Sequence, residues 1–575
     1  MNPTPDPHRS PVRRRALLQA AATGAVLAGS ACARIPSHSP IAVQRLGDAG
    51  LPGAPYVQAQ PPRPGATPAE VVAGFVQAGV GSEDNFAVAR EYLAPDYRET
   101  WAPRASVIVY AGSHELAIDT QQESTVNLTV HALATVDDRG LRTLLAGPTP
   151  RSVTFRLMKV REQWRITAAP DGIFLSEAAF ETLFDAARLY FLDARRRFLV
   201  PDPRWYPVQR GVASVLEGLA AGPTGVLEGA VKTAVPRTSG VSDATITSSA
   251  DGRTQVVVPA VIGDLPATQR ALALAQLENS LRSLRSLPDV ALVWAGEDRT
   301  PAHQVALSRP VPRHRPMGAG PAGIISLGEP AAGGRPQQLV PDLARTPVRH
   351  PTIDRAGVLA AALTEDFTSV LLASTDGSIP LREAATGGAF APPCADGCGY
   401  IWASTRASSG VMLALAGKGP GADVAVEGAW LSGREVLSLQ ISTDDTRMFV
   451  LSRDASRTRL DLCTVRRDDD GTPLELSEPL SVRTVLDEVI QVSWYEEMAA
   501  LILGTDPSTS ERRARIIDFS STRDALPALK PGTDAITGTA VDNSMWATTT
   551  SGELLRSEGD AWRVVDLPAK DPAFY

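Results

Sequence analysis

Apolar residues along the chain change their period twice. From Thr67 the spacing is helical. In "TPAEVVAGFVQAG", Val71, Val72, Phe75 and Val76 share one face, behind Thr67 as N-cap, Pro68 in the first turn and Glu70 three residues after the cap. A second helical stretch runs from Phe86 to Leu93 and stops at Pro95. The period then shortens to two. Val126, Leu128 and Val130 lie on one side of a predicted strand, Val153, Phe155 and Leu157 on one side of the next, and Trp164 and Ile166 point inward from a third. Helices followed by a curved antiparallel sheet predict a small α+β domain over 67–183.

From 184 to 298 the two periods alternate. "RLYFLDARRRFLVPD" reads as two strands, and "GVASVLEGLAAGP" as a helix with Val212, Val215, Leu216 and Leu219 on one side, stopped by Gly222-Pro223. "ATITSSADGRTQVVVP" reads as a hairpin turning at Asp251-Gly252. "ATQRALALAQLENSLRSL" is a helix with Leu274, Leu277, Leu281 and Leu284 in register, and "VALVWAG" closes the sheet of a second α+β domain. A Pro- and Arg-rich linker covers 299–322. Beyond it helix signals cease, and units of strand, acidic turn and strand recur roughly every 40–50 residues. That regularity favours an all-β propeller over 323–575, with about five or six blades, over a two-sheet sandwich. The expected architecture is therefore multidomain, two α+β domains followed by a propeller.

The N-terminus has a different logic. In "RRRALLQAAATGAVLAGSACARIPS" a cationic run (Arg13 to Arg15) precedes an apolar segment (Ala16 to Leu27), and small residues lead to Cys32. This is the layout of an export signal. Its core falls well short of the roughly 20 residues that span a bilayer. Residues 1–31 read as a signal peptide cut after Ala31, which leaves Cys32 as the site of lipid attachment. Gly29 stands where a Leu is usual, with Leu27 two residues earlier. Arg14-Arg15 before Ala16-Leu17-Leu18 is similar to a twin-arginine signal, so export by the Sec or the twin-arginine route is expected. Residues 32–66, with "PYVQAQPPRPGA", read as a flexible tether.

A formal charge of −8, with no Lys/Arg block after the signal, argues against nucleic-acid binding. Four cysteines occur. Cys394 and Cys398, in "CADGC", could close a small-loop disulfide in an oxidising compartment; Cys463 reads as a strand residue, and the spacing does not suit zinc. "GKGPGA" (Gly417 to Ala422) lacks the following helix and the Ser/Thr of a phosphate loop, so it reads as a blade-connecting loop. The seven histidines are scattered. Asp444-Asp445 and Glu496-Glu497 read as solvated turn residues, and "RRDDDG" (Arg466 to Gly471) as a hairpin tip. No catalytic, metal or cofactor site is expected.

"CARIPS" (Cys32 to Ser37), "WRITAAPDGIFL" (Trp164 to Leu175) and "LYFLDARRRFLVPDPRWYPV" (Leu189 to Val208), together with the order of parts, resemble the actinobacterial LpqB lipoprotein family. The first domain is similar in layout to the NTF2-like type, whose enzymes hold a His/Asp pair in the cone; His114 and His131 are the histidines available, and both read as structural. The middle domain resembles a GerMN domain. The resemblance implies a non-catalytic accessory lipoprotein on the outer face of the cytoplasmic membrane, held by its N-terminal lipid. Its implied partner is the extracellular domain of the sensor histidine kinase MtrB, in a two-component system serving cell-envelope homeostasis. The alternative is an exported binding protein for a cell-wall glycan or peptide. For that reading Trp402, Trp494, Trp546 and Trp562 are the aromatics to inspect, though their spacing suits blade packing.

Overall fold

The computed structural model describes residues 44–45 and 59–575, apart from 113–115, 238–243, 250–252, 288, 295–296, 299–306, 329–335, 420–421, 456, 519–525 and 527. The signal segment, Ala31, Cys32, His114 and the turn at Asp251-Gly252 lie outside the described residues. From Val43 to Tyr575 the chain forms one compact unit.

The first domain is a helix on a curved sheet. Pro68–Ala78 starts at a capping box between Thr67 and Glu70 and buries Val71, Val72, Phe75 and Val76. Beneath it, Thr125–Asp137 alternates inward and outward without a break. It pairs with Arg142–Val160, Ser106–Tyr110 and Ala117–Gln122. Rings fill the interior: Phe75 lies 5.1 Å from Trp101 and 6.0 Å from Phe155. His131 is on the outer face of the long strand, opposite Pro150. The second helix is a single turn, Ala87–Arg90, because Asp84, Asn85 and Phe86 all take positive φ just before it. Part of the segment read as tether also joins the fold. Gln44–Arg45 pairs with the sheet of the middle domain, and Gln60 accepts a hydrogen bond from the Tyr92 hydroxyl at 2.9 Å.

The middle domain sets a hairpin, Phe184–Leu192 with Leu199–Pro207, against helices Gly211–Ala221 and Ala267–Arg282. Its sheet pairs Thr245–Ser248 with Thr254–Val257 antiparallel and the latter with Val290–Trp294 in parallel. Gln276, fully buried in the second helix, donates to the Tyr190 carbonyl at 2.8 Å and accepts from Ala234 N at 2.7 Å, tying helix to hairpin.

The remainder is a propeller whose described strands form six blades. The innermost strands are Val348–Ile353, Cys394–Ala395, Glu435–Ile441, Asp487–Glu496, Thr533–Thr539 and Lys570–Phe574, and each touches the next until the last returns to the first. The sixth blade closes the ring, because Lys570–Phe574 pairs with Pro316–Gly320, which pairs with Gly323–Ser326. The propeller therefore begins inside the segment read as a linker over 299–322. The Gly417 to Ala422 stretch connects two strands of the second blade, Val411–Ala416 and Val424–Glu427, rather than two blades.

Candidate functional site

The acidic turns become the floor on which the middle domain stands. Asp354, Asp396 and Asp444 each follow the first strand of a blade and accept backbone N–H groups of their own turn, such as Val358 at 2.7 Å, Cys398 at 2.9 Å and Thr446 at 3.0 Å. This is ordinary Asx-turn chemistry. The reading of Asp444-Asp445 as solvated turn residues is corrected, however. Asp396, Asp444 and Asp445 are 0%, 1% and 5% exposed, with Asp193 of the middle domain near Asp444 and Arg313 near Asp396 and Asp445.

Burial of so much charge calls for partners, and arginines supply them. Arg467 pairs with Asp396 at 2.6 Å, and Trp402 Nε1 donates to the same carboxylate at 2.9 Å. Arg355 pairs with Asp445 at 2.9 Å while its guanidinium lies 4.1 Å from the centre of the Phe198 ring of the middle domain. Arg447 pairs with Asp444 and reaches the Glu497 carbonyl at 3.0 Å. Glu497 in turn accepts from Tyr190 Oη at 3.1 Å and from Arg309 at 2.8 Å. The hairpin tip also touches the middle domain, with Asp469 bonded to Lys232 and 3.8 Å from Arg196. Burial pushes the Asp445 carboxyl up, Arg355 opposes the shift and Asp396 adds to it; burial also raises Asp354.

The three described cysteines are unpaired, so the Cys394–Cys398 disulfide is not formed. Their directions explain it. Cys394 packs into the blade core with Trp402 and Met412, whereas Cys398 lies over Gly471, where an added Cβ would meet its Sγ at 3.2 Å. Burial pushes the thiols up to about 12 and about 11 respectively, so both stay protonated.

The second feature is the central channel, a cavity of about 250 Å³ lined by all six innermost strands. Pro312 and Arg313 stand across the end nearest the acidic turns, with Arg313 donating to the Ala395 carbonyl. At the other end Arg349 grips Asp571 through two bonds of 2.6 and 3.0 Å, and His350 N donates to it at 3.0 Å. Burial works against the Asp571 carboxylate, but Arg349 and His350 more than offset it and hold its pKa below the ordinary value. Burial, with Arg349 and Arg406 adding to it, lowers His350. Among the described residues no group of three or more His, Cys, Asp or Glu is placed to hold a metal ion. None of their helices is long and apolar enough to cross a membrane. Trp402 and Trp546 are buried in blades, and Trp494 and Trp562 are half-buried.

The family model described as "Lipoprotein LpqB, N-terminal domain" matches residues 61–181, and "Lipoprotein LpqB beta-propeller domain" matches 333–574. Lipoprotein LpqB of Streptomyces avermitilis is 24% identical over 98% of this chain and 98% of its own length. That of Cutibacterium acnes is 28% identical over 85% and 86%. The chain belongs to the LpqB lipoprotein family. The LpqB propeller model starts after the strand Pro316–Gly320 and runs through the closing strand Lys570–Phe574, while the middle domain lies between the two matched stretches. Among solved structures, one described as "YCF48 bound to D1 peptide" is similar at 14% identity, covering 45% of this chain and 86% of that one, with a TM-score of 0.27.

Proposed function

We propose that this LpqB lipoprotein is a non-catalytic regulator, lipid-anchored at Cys32 after cleavage at Ala31, on the outer face of the cytoplasmic membrane. Its partner is the extracellular domain of an MtrB-like sensor histidine kinase that serves envelope homeostasis. One observation carries the reading: the middle domain is held to the propeller by Tyr190 on Glu497, by Thr464 Oγ1 on the Val226 carbonyl at 2.6 Å and by the Phe198 ring on Arg355, so the domains present a fixed composite surface rather than a hinge or a cleft. A rigid body on a membrane tether meets a membrane-bound kinase at high effective concentration, so a weak contact suffices. It shifts signalling only by favouring one kinase conformation over the other. Photo-crosslinking from surface positions of the propeller in intact cells tests this. The kinase should be captured by the wild type and lost in Cys32→Ala; a capture set without any kinase overturns the reading.

A second reading, an exported binding protein for a cell-wall ligand, draws support from the polar channel. It favours a small peptide over a glycan, since no aromatic side chain among the described residues is fully exposed to serve as a sugar platform.

A further inference from the structure

We infer that the central channel binds a small carboxylate-bearing ligand, of amino-acid to dipeptide size, with Arg313 anchoring the carboxylate. The site is independent of the kinase contact. Its volume of about 250 Å³ lies just under the roughly 300–1,000 Å³ of pockets for drug-sized ligands, which sets the size class.

Two neighbouring strands present donors to the lumen. Ser438 and Gln440 on Glu435–Ile441, and Gln491 and Ser493 on Asp487–Glu496, are each two residues apart and so share one face of their strand. Gln491 Oε1 accepts from Ile536 N at 2.8 Å, which leaves its Nε2 as a donor. The Ser493 hydroxyl is buried with no partner. Ser438 and Gln440 side chains have no protein partner among the described residues. A wall of this kind suits a ligand rich in acceptors.

The lining is mixed in charge, with Asp534 and Glu496 beside Asp571, and its basic groups are committed unequally. Arg349 is held by Asp571, and Arg406 lies 3.8 Å from Glu435. Asp396 and Asp445, the carboxylates close to Arg313, are engaged by Arg467 and Arg355. Arg313 itself makes one hydrogen bond, to the neutral Ala395 carbonyl, and no ion pair among the described residues. A guanidinium with free N–H donors at the closed end of a polar pocket fits a carboxylate in bidentate geometry.

Calorimetric titration of the full-length protein in detergent tests this with acetate, alanine, glutamate, alanylalanine and alanylalanine amide, and with inorganic phosphate. At least one free acid should bind at a single site, and alanylalanine more than tenfold tighter than its amide. Arg313→Gln should abolish binding. Gln440→Ala, which breaks no bond within the protein, should weaken it severalfold with the melting temperature unchanged. No heat from any acid, equal affinity for acid and amide, or wild-type affinity in Gln440→Ala each overturns the inference. Phosphate binding as tightly as the best acid does so too, by reducing the site to an unselective anion hole.

Discussion

The N-terminal domain and the junction beneath the middle domain are both closed to water, by opposite means. In the former, Phe75, Trp101, Phe155 and Phe174 pack in a ring-on-ring interior. In the latter, Asp396, Asp444 and Asp445 are matched to Arg467, Arg447 and Arg355. An apolar interior tolerates small errors of geometry and loses stability in proportion to what is removed. A buried charge pair is all-or-none, because removing one member strands the other. The first kind of contact holds a domain together; the second fixes the propeller face that the middle domain meets through Phe198 and Tyr190.

Removing half of the most buried pair is the hardest test of that difference. Asp396→Ala leaves Arg467, with its side chain 4% exposed, unpaired, and should cost about 3–5 kcal/mol. Scanning calorimetry should show the propeller and middle-domain transition falling, and exchange of both for apolar residues should restore much of it. Phe155→Ala should cost a similar amount, about 3–5 kcal/mol, but in the transition of the N-terminal domain. A single merged transition in both variants would break the comparison. Glu497→Gln weakens the bonds from Tyr190 and Arg309 and should cost about 1–3 kcal/mol, read as faster amide exchange around 190 and 309.

Acidity separates the carboxylates further. Asp571 has its folded pKa below the ordinary 3.8, so its contribution is in place above 3.8 and is lost as pH falls through the folded value. Asp354 and Asp445 are raised above 3.8, so their contribution is greatest below 3.8 and is lost as pH rises through their folded values. The melting temperatures of wild type and Asp571→Asn should thus differ near neutrality and converge in acid. The smallest effect belongs to the rim: Lys232→Ala removes a pair with Asp469, which is 66% exposed, and should shift stability by under about 0.5 kcal/mol.

The same contrast explains what could be read in the chain. The helix from Pro68, the alternation at Val126, Leu128 and Val130, and the helix holding Leu274, Leu277 and Leu281 are set by neighbours within a few residues, so period alone reveals them. Asp444-Asp445 and Glu497 were legible as turn residues but not as buried ones. Their cover comes from elsewhere; Tyr190 and Glu497 are 307 positions apart. The one available sign was repetition, an Asp after the first strand of successive blades with arginines at Arg355, Arg447 and Arg467 nearby. Pro316–Gly320 was missed for a related reason. "PMGAG" carries no β-branched residue, and its partner strand lies at the far end of the propeller. The channel was invisible because its walls come from six blades at once.

Closure by Lys570–Phe574 gives the propeller a clasp that is made after every other strand of the ring. As the chain emerges from the ribosome or a translocon, five blades can form while Pro316–Gly320 still presents a bare edge, open to any strand that meets it. A nonsense codon or a proteolytic nick ahead of Lys570 would leave an arc instead of a ring, with no Asp571 for Arg349 and no enclosed channel. Residues 570–574 therefore act as a completeness check on the ring they close.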